Sequence, residues 1–190
     1  MARWEPGTSE RLRAAALELF ASNGYEQTTA ADIAGAVGLT ERTFFRHFSD
    51  KREVLFNGQE QLIESFLAGI SAAPDDAAPM DLVAAALESG TALFAHERRP
   101  FSRLRQSVID RNPALQERER HKMSGLAATI GDALRARGVP EPAATLAAES
   151  ASTVFGIAFT QWIGDGETRS LTDIARDVLA ELRGMVGGRG

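Results

Sequence analysis

Two arginines four residues apart, Arg42 and Arg46, are the residues whose type and spacing most directly indicate a chemistry. Residues i and i+4 share one face of a helix, and a helix fits the major groove of DNA, where arginine can grip the O6 and N7 atoms of guanine. We expect Arg42 to read a base and Arg46 to read a base or hold phosphate. Thr43 can contact a thymine methyl group, and His47 completes the polar set. Outside a suitable context, such side chains are usually only solvated.

Two short helices are predicted to position these side chains. The first spans about residues 30–37 and ends at Gly38, and Thr40 then caps a second helix over 41–47. A turn of about three residues between two short helices is the sequence form of a helix-turn-helix. Phe44 and Phe48, four residues apart, are predicted to face inward and hold the second helix in place.

Hydroxyl and ammonium groups near the starts of these helices are candidates for phosphate contacts. Backbone N–H groups and hydroxyls at a helix start commonly meet phosphate oxygens, and a lysine can act as a phosphate clamp. Thr29 with Asp32 also has the spacing of a capping box. The predicted phosphate contacts are Thr28, Thr29, Thr40 and Lys51.

The rest of the chain carries helical spacing and almost no strand signal, so we predict an all-α protein. An amphipathic first helix covers about 9–22, and a long fourth helix follows Asp50 and carries Leu55, Leu62, Phe66 and Ile70 along one side. The final two helices are predicted over about 141–163 and 171–185. We assign residues 1–52 to a DNA-binding domain and 53–190 to an effector-binding and dimerisation domain.

The stretches Gly24–Ala34, Ala36–Thr40 and Thr43–Lys51 together resemble the signature of the TetR family of transcriptional regulators. The resemblance covers about the first quarter of the chain. It implies a three-helix DNA-binding domain, a larger helical domain and about nine helices in total. It also implies a homodimer on a palindromic operator, acting as a repressor that a small molecule releases from DNA. Phe45, which we include among the DNA-binding residues, stands where the family often has a tyrosine whose hydroxyl reaches phosphate.

In this family the last two helices of each subunit form a four-helix dimer interface. Small and large apolar residues are mixed in the corresponding part of this chain, which suits such an interface, although an ordinary monomer core would show the same pattern. The candidate interface residues are Ala151, Phe155, Ala158, Trp162, Ile174, Val178 and Leu182.

An effector pocket is expected among the central helices. Aromatic residues and methionine at helical spacing are more often plain core than ligand contacts, and the few polar candidates favour an apolar or amphipathic ligand. The candidate lining residues are Phe66, Leu87, Phe94, Phe101, Leu104, Met123, Leu126, Phe155 and Phe159.

A second, basic cluster in the middle of the chain could attract an anionic effector such as a carboxylate or acyl thioester. We prefer the interpretation that it is a solvated face with local ion pairs to neighbouring acidic residues. Its members are Arg98, Arg99, Arg103, Arg105, Arg111, Arg118, Arg120, His121 and Lys122.

Composition adds several limits. The net charge of −5 argues weakly against DNA binding, so the case depends on focused contacts. Cysteine is absent and the three histidines are scattered, so neither a metal nor a cofactor is expected, and no enzyme motif appears in a fitting context. Residues 1–8 lack a signal-peptide pattern and no membrane span is expected, which predicts a cytoplasmic protein.

The alternative functions are a ligand-independent dimeric DNA-binding protein and an activator.

Overall fold

The computed structural model describes residues 7–186, which form ten α-helices and one 3₁₀ turn without a strand in that range. The predicted all-α class is confirmed. Residues 1–6, on which most of the signal-peptide prediction rests, lie outside the described part. The helices are α1 Thr8–Asn23, α2 Ala30–Ala36, α3 Glu41–Phe45, α4 Glu53–Phe56, α5 Gln59–Ala72, α6 Pro79–Thr91, α7 Arg99–Asp110, α8 Pro113–Ala136, α9 Ala143–Trp162 and α10 Leu171–Val186, with the 3₁₀ turn at His96–Arg98.

The predicted long fourth helix is divided in two, and this accounts for the extra helix. Asn57 has extended backbone angles, φ −60° and ψ 140°, and Gly58 is left-handed with φ 95°. Glycine adopts a left-handed conformation without the steric penalty of a Cβ atom. The apolar spacing continues on both sides of the break, and for this reason the pattern predicts one helix.

The chain separates into two compact units. The first contains the residues up to 57 together with 101–119, and the second contains 58–100 and the residues from 120 onward. The functional division between 1–52 and 53–190 stays a prediction. The compact units differ from it because 53–57 and 101–119 belong with the N-terminal helices.

The core of the first unit explains why three very short helices are stable. Leu12 of α1, Ile33 of α2 and Phe44 of α3 are fully buried against one another in a single apolar cluster. Isolated helices of five to seven residues are unstable in water, so these depend on tertiary packing. Phe44 and Phe48 face inward as predicted, with exposed fractions of 0% and 2%.

The second unit is built on α6, which packs against α5, α9 and α10. Helices α5 and α6 approach closely because Gly69 has no side chain. A Cβ atom at that position would lie 2.2 Å from the carbonyl oxygen of Ala85. Five aromatic rings meet in this core, with neighbouring centroids 5.5–6.1 Å apart. They belong to Phe66, Phe94, Phe155, Phe159 and Trp162.

Candidate nucleic-acid interface

Helix α2 begins with the predicted capping box. The hydroxyl oxygen of Thr29 accepts a hydrogen bond from the backbone N–H of Asp32 at 3.1 Å. The Asp32 carboxylate in turn accepts bonds from the Thr29 N–H at 2.9 Å and from its hydroxyl at 2.7 Å. These hydrogen bonds lower the pKa of Asp32 below its usual 3.8. The box therefore satisfies donors at the helix start and fixes where α2 begins.

The turn between α2 and α3 is held at both ends. Gly38 is left-handed, with φ 71°, and the Leu39 N–H donates to the carbonyl of Ala34 at 2.9 Å. Arg11 of α1 donates to the carbonyl of Val37 at 2.9 Å, which ties the turn to the first helix. Thr40 caps α3 by accepting a bond from the Thr43 N–H at 3.3 Å.

One face of α3 is exposed and the opposite face is buried. Glu41, Arg42, Phe45 and Arg46 are exposed, and Phe44 is fully buried. Thr43 and His47 are half-buried at the edges of this face, and the Thr43 hydroxyl is 3.0 Å from that of Thr40. The two arginines are therefore on one accessible surface, as their spacing predicts. We call the exposed residues Glu41, Arg42, Phe45 and Arg46 the α3 face.

Thr28 is placed differently from the expectation of a phosphate contact. Thr28 is only 1% exposed, and its hydroxyl donates a hydrogen bond to the carbonyl of Gly24 at 2.8 Å. The hydroxyl thus closes the loop after α1. Thr28 does not belong to the candidate DNA surface, whereas Thr29 and Thr40 are exposed at helix starts.

Lys51 is also placed differently from the expected phosphate clamp. Its ammonium group donates to the carbonyl oxygens of Tyr25, Glu26 and Thr28 at 2.7, 3.3 and 3.2 Å. It also lies 4.3 Å from the centroid of the Tyr25 ring. An ammonium group has three N–H donors, and all three have protein acceptors here. Lys51 holds the loop that leads into α2, which is a structural role.

Burial raises the pKa of the Tyr25 phenol to about 12, and the nearby negative charge of Asp50 adds to the effect. The ring also packs edge-on against Phe20, with centroids 5.0 Å apart. Tyr25 therefore stays neutral at physiological pH, and the face of its ring contacts the ammonium group of Lys51.

The central basic cluster is divided between local structural roles. Arg105 donates to the carbonyl of Leu55 at 2.6 Å and forms an ion pair with Glu119 at 2.7 Å. Arg118 pairs with Glu53, and the guanidinium groups of Arg105 and Arg118 lie 5.3 and 5.0 Å from the centroid of Phe56. Arg105 forms the pair with Glu119 that the local-pair interpretation expects, whereas Arg118 pairs with Glu53, 65 positions away. Sequence spacing gives no signal for pairs so far apart in the chain.

Arg99, another member of that cluster, is only 5% exposed. Its guanidinium group donates to the carbonyls of Glu167 and Arg169 and lies 5.2 Å from the centroid of the Trp162 ring. It therefore fastens the loop between α9 and α10.

The candidate pocket residues are brought together only in part. Phe66, Phe94, Phe155 and Phe159 lie in the aromatic group of the second unit. Leu87 and Leu126 are buried in the same core, and Met123 packs on its edge. Phe101 and Leu104, however, pack on the apolar cluster of the first unit, because α7 contributes its residues from 101 onward to that unit.

Most of the candidate interface residues lie inside a single subunit. Ala151, Phe155, Ala158, Trp162 and Ile174 are at most 5% exposed, and Val178 and Leu182 are half-buried against the same core. They form the monomer core, the alternative to an interface. A mixture of small and large apolar residues suits both environments, so the pattern cannot separate them.

The large apolar residues that α9 and α10 leave exposed, among those described, are Leu146, Ile157 and Met185, at 64%, 46% and 68%. Within residues 7–186, no helix is long and apolar enough to cross a membrane. No three potential ligands from histidine, aspartate and glutamate meet in that range either.

An exposed arginine-bearing helix, fixed by two caps and an apolar core, has the arrangement of a helix-turn-helix motif. Residues 12–57 match the family described as "Bacterial regulatory proteins, tetR family". A curated relative is the HTH-type transcriptional regulator TcmR of Streptomyces glaucescens, 40% identical over 82 residues. The match covers 43% of this chain and only 36% of that relative's length.

Solved structures extend the likeness to nearly the whole chain. A tetR-family regulator from Rhodococcus RHA1 has a TM-score of 0.55 at 21% identity, covering 94% of this chain and 97% of the other. FadR of Bacillus subtilis in complex with stearoyl-CoA has a TM-score of 0.61 at 20% identity, covering 91% and 96%. FadR of Thermus thermophilus in complex with lauroyl-CoA has a TM-score of 0.57 at 21% identity, covering 96% and 97%. At such identities the likeness establishes the fold.

Residues 12–57 therefore match the tetR-family domain, as the resemblance of residues 24–51 implies. The relatives named here are described as regulators.

Proposed function

We propose that the protein is a sequence-specific transcriptional regulator that represses genes from a palindromic operator. The observation that carries this proposal is the α3 face, where Arg42 and Arg46 are exposed on a helix anchored by Phe44. In the proposed complex, α3 lies in the major groove. Arg42 reads a base and Arg46 reads a base or contacts phosphate.

The charge of the DNA-binding region favours specific over non-specific binding. Residues 1–52 contain seven basic and seven acidic side chains, and one of the basic ones, Lys51, is turned into the protein. Non-specific affinity grows with the number of phosphates that a protein neutralises. We therefore infer weak binding to random DNA and strong dependence on the bases that the arginines contact.

A homodimer is part of the proposal. Leu146 and Ile157 lie eleven residues apart on α9, about three helical turns, and both are exposed. Residues spaced by whole helical turns share one side of the helix, so both are available for contact with a second copy of the chain. In a two-fold dimer, the recognition helices would contact two half-sites about 34–36 Å apart.

The proposed effector is a small apolar or amphipathic molecule bound near the aromatic group of the second unit. Trp162 Nε1 and Arg99 Nε are buried and have no hydrogen-bond partner among the described residues. Buried donors usually have acceptors, so these two favour an amphipathic effector with an acceptor oxygen. Two of the structural neighbours bind acyl-CoA molecules, which contain both apolar and polar parts.

Selection from a random pool of duplex DNA tests the DNA part of the proposal. The expected product is an inverted repeat that the protein shifts on a native gel. Failure to enrich any sequence would contradict DNA binding, and a single asymmetric site would contradict the two-fold dimer.

Thermal-shift screening separates an effector-responsive regulator from a ligand-independent DNA-binding protein. A ligand that binds the folded state and not the unfolded state raises the unfolding temperature, and the rise grows with the logarithm of the ligand concentration above its Kd. We expect at least one amphipathic compound to raise it and also to release the selected operator. Stabilisation without release would contradict the effector mechanism.

A further inference from the structure

Phe45 is an aromatic side chain in an unusual position. It is 51% exposed, whereas the other nine phenylalanines, all within the described part of the chain, are buried or half-buried. It lies at i+3 from Arg42 and directly before Arg46, so it belongs to the same surface as both cations. A phenyl ring set between two arginines is not needed for the core of this unit, because Phe44 and Phe48 already fill that role.

The ring has a firm support. Its neighbour Phe44 is fully buried, and the two rings meet edge to face, with centroids 5.4 Å apart and planes at 90°. An edge-to-face contact of this kind favours one ring orientation. The outer surface of Phe45 is therefore presented in a defined direction before any partner binds.

The two arginines outnumber Glu41 on the α3 face and favour a negatively charged partner, and Phe45 favours one that also offers an apolar group. The two arginines attract the DNA backbone and the acceptor atoms of guanine. The apolar group that the major groove displays on a base edge is the C5 methyl of thymine. Phe45 has no hydroxyl and cannot donate a hydrogen bond to phosphate, so its binding contribution comes from apolar contact.

We propose that Phe45 packs against a thymine methyl group in each operator half-site and makes the protein select thymine there. This inference rests on the proposed function, because it needs α3 in the major groove. It assigns the reading of a methyl group to Phe45 rather than to Thr43, which is half-buried at the edge of the α3 face.

The test replaces the thymines of the selected operator with deoxyuridine, one position of the half-site at a time. Each replacement removes only the methyl group. Losing contact with one methyl is expected to weaken wild-type binding about fourfold for one half-site and about fifteenfold for both. The Phe45→Ala variant should bind the thymine operator less tightly and should be indifferent to the same replacement. The Phe45→Leu variant keeps an apolar side chain and should retain part of the sensitivity.

Two controls make the outcomes separable. Phe45→Ala should unfold at a temperature close to that of the wild type, because the ring is half exposed, and Arg46→Ala should remain sensitive to the methyl group. The inference would be overturned if Phe45→Ala bound both the thymine and the deoxyuridine operator more weakly than the wild type by the same factor. Such a result would mean that the ring packs on deoxyribose and not on the methyl group. Absence of wild-type binding to any duplex would instead overturn the proposed function.

Discussion

Lys51 illustrates how a residue of the expected type can serve a different purpose. The ammonium group has the reach to hold phosphate, but it donates to three carbonyls of the loop between α1 and α2. Replacement by methionine keeps the aliphatic length and removes the donors. We expect Lys51→Met to lower the free energy of unfolding by about 1–3 kcal/mol, because the carbonyls lose their partner. Urea titration measures this change.

The salt dependence of DNA binding distinguishes the structural role from a phosphate contact. Loss of one phosphate contact reduces the slope of log affinity against log salt by about one. We expect the slope for Lys51→Met to equal that of the wild type. A reduced slope together with unchanged stability would show that the lysine holds phosphate.

Asp32 gives the capping box a pH dependence. Its hydrogen bonds with Thr29 hold the pKa below the usual 3.8, so the charged carboxylate stabilises the folded state. This contribution is present above pH 4 and disappears as the pH falls through the lowered pKa. The Asp32→Asn variant should be less stable than the wild type at pH 7, and the difference should shrink toward pH 3.

Thermal unfolding of both proteins across that range checks the expectation. The Thr29→Ala variant is the matched control, because it removes the other half of the box and should lose the same pH-dependent part. A constant difference between Asp32→Asn and wild type at every pH would contradict the role of the charge.

At the residue scale, sequence reasoning worked where neighbours in the chain interact. The Thr29–Asp32 box and the shared surface of Arg42 and Arg46 depend on spacings of three and four residues. The role of Lys51 depends on carbonyls 23 to 26 positions away, which no local spacing encodes.

At the scale of elements, close helix packing in the second unit depends on Gly69. A Cβ atom there would lie 2.2 Å from Ala85 O and 2.9 Å from Ala86 Cα, which are backbone atoms of α6. The backbone cannot move as freely as a side-chain tip. We expect Gly69→Ala to lower the free energy of unfolding by about 1–3 kcal/mol through overpacking.

Gly125 in α8 supplies the matched control, because a Cβ atom there would meet nothing within 4 Å. Alanine is the better helix former, so Gly125→Ala should raise stability by about 0.5–1 kcal/mol. Denaturant titrations of both variants give the comparison. Equal effects of the two substitutions would contradict close packing of α5 on α6.

The helices themselves could be predicted because their periodicity and caps are local. Helix α2 is predicted over 30–37 and observed over Ala30–Ala36, and α10 is predicted over 171–185 and observed over Leu171–Val186. The break in the predicted fourth helix at Asn57 and Gly58 was not predicted, because the apolar stripe continues across it. The interface candidates on α9 lie in the core of a single chain. The sequence could not indicate this, because burial inside a subunit and burial between subunits require the same residue types.

At the scale of the whole molecule, net charge is a poor guide to function. The chain carries −5 overall, yet a small exposed surface concentrates two arginines beside an aromatic ring. In the proposed complex, DNA meets that surface and not the average charge of the chain. For the same reason, a DNA-binding helix could be inferred from a short segment, while the effector depends on side chains assembled from several distant helices.

The central claim is that the α3 face binds specific DNA, and the affinity of Arg46→Ala for the selected operator tests it most directly. Arg176→Ala is the control, because Arg176 is exposed and pairs with Glu88 in the other compact unit. Fluorescence anisotropy on a labelled operator gives both affinities. We expect Arg46→Ala to lose about 1–3 kcal/mol for each half-site and Arg176→Ala to bind like the wild type. Wild-type affinity in Arg46→Ala, or an equal loss in both variants, would contradict the claim.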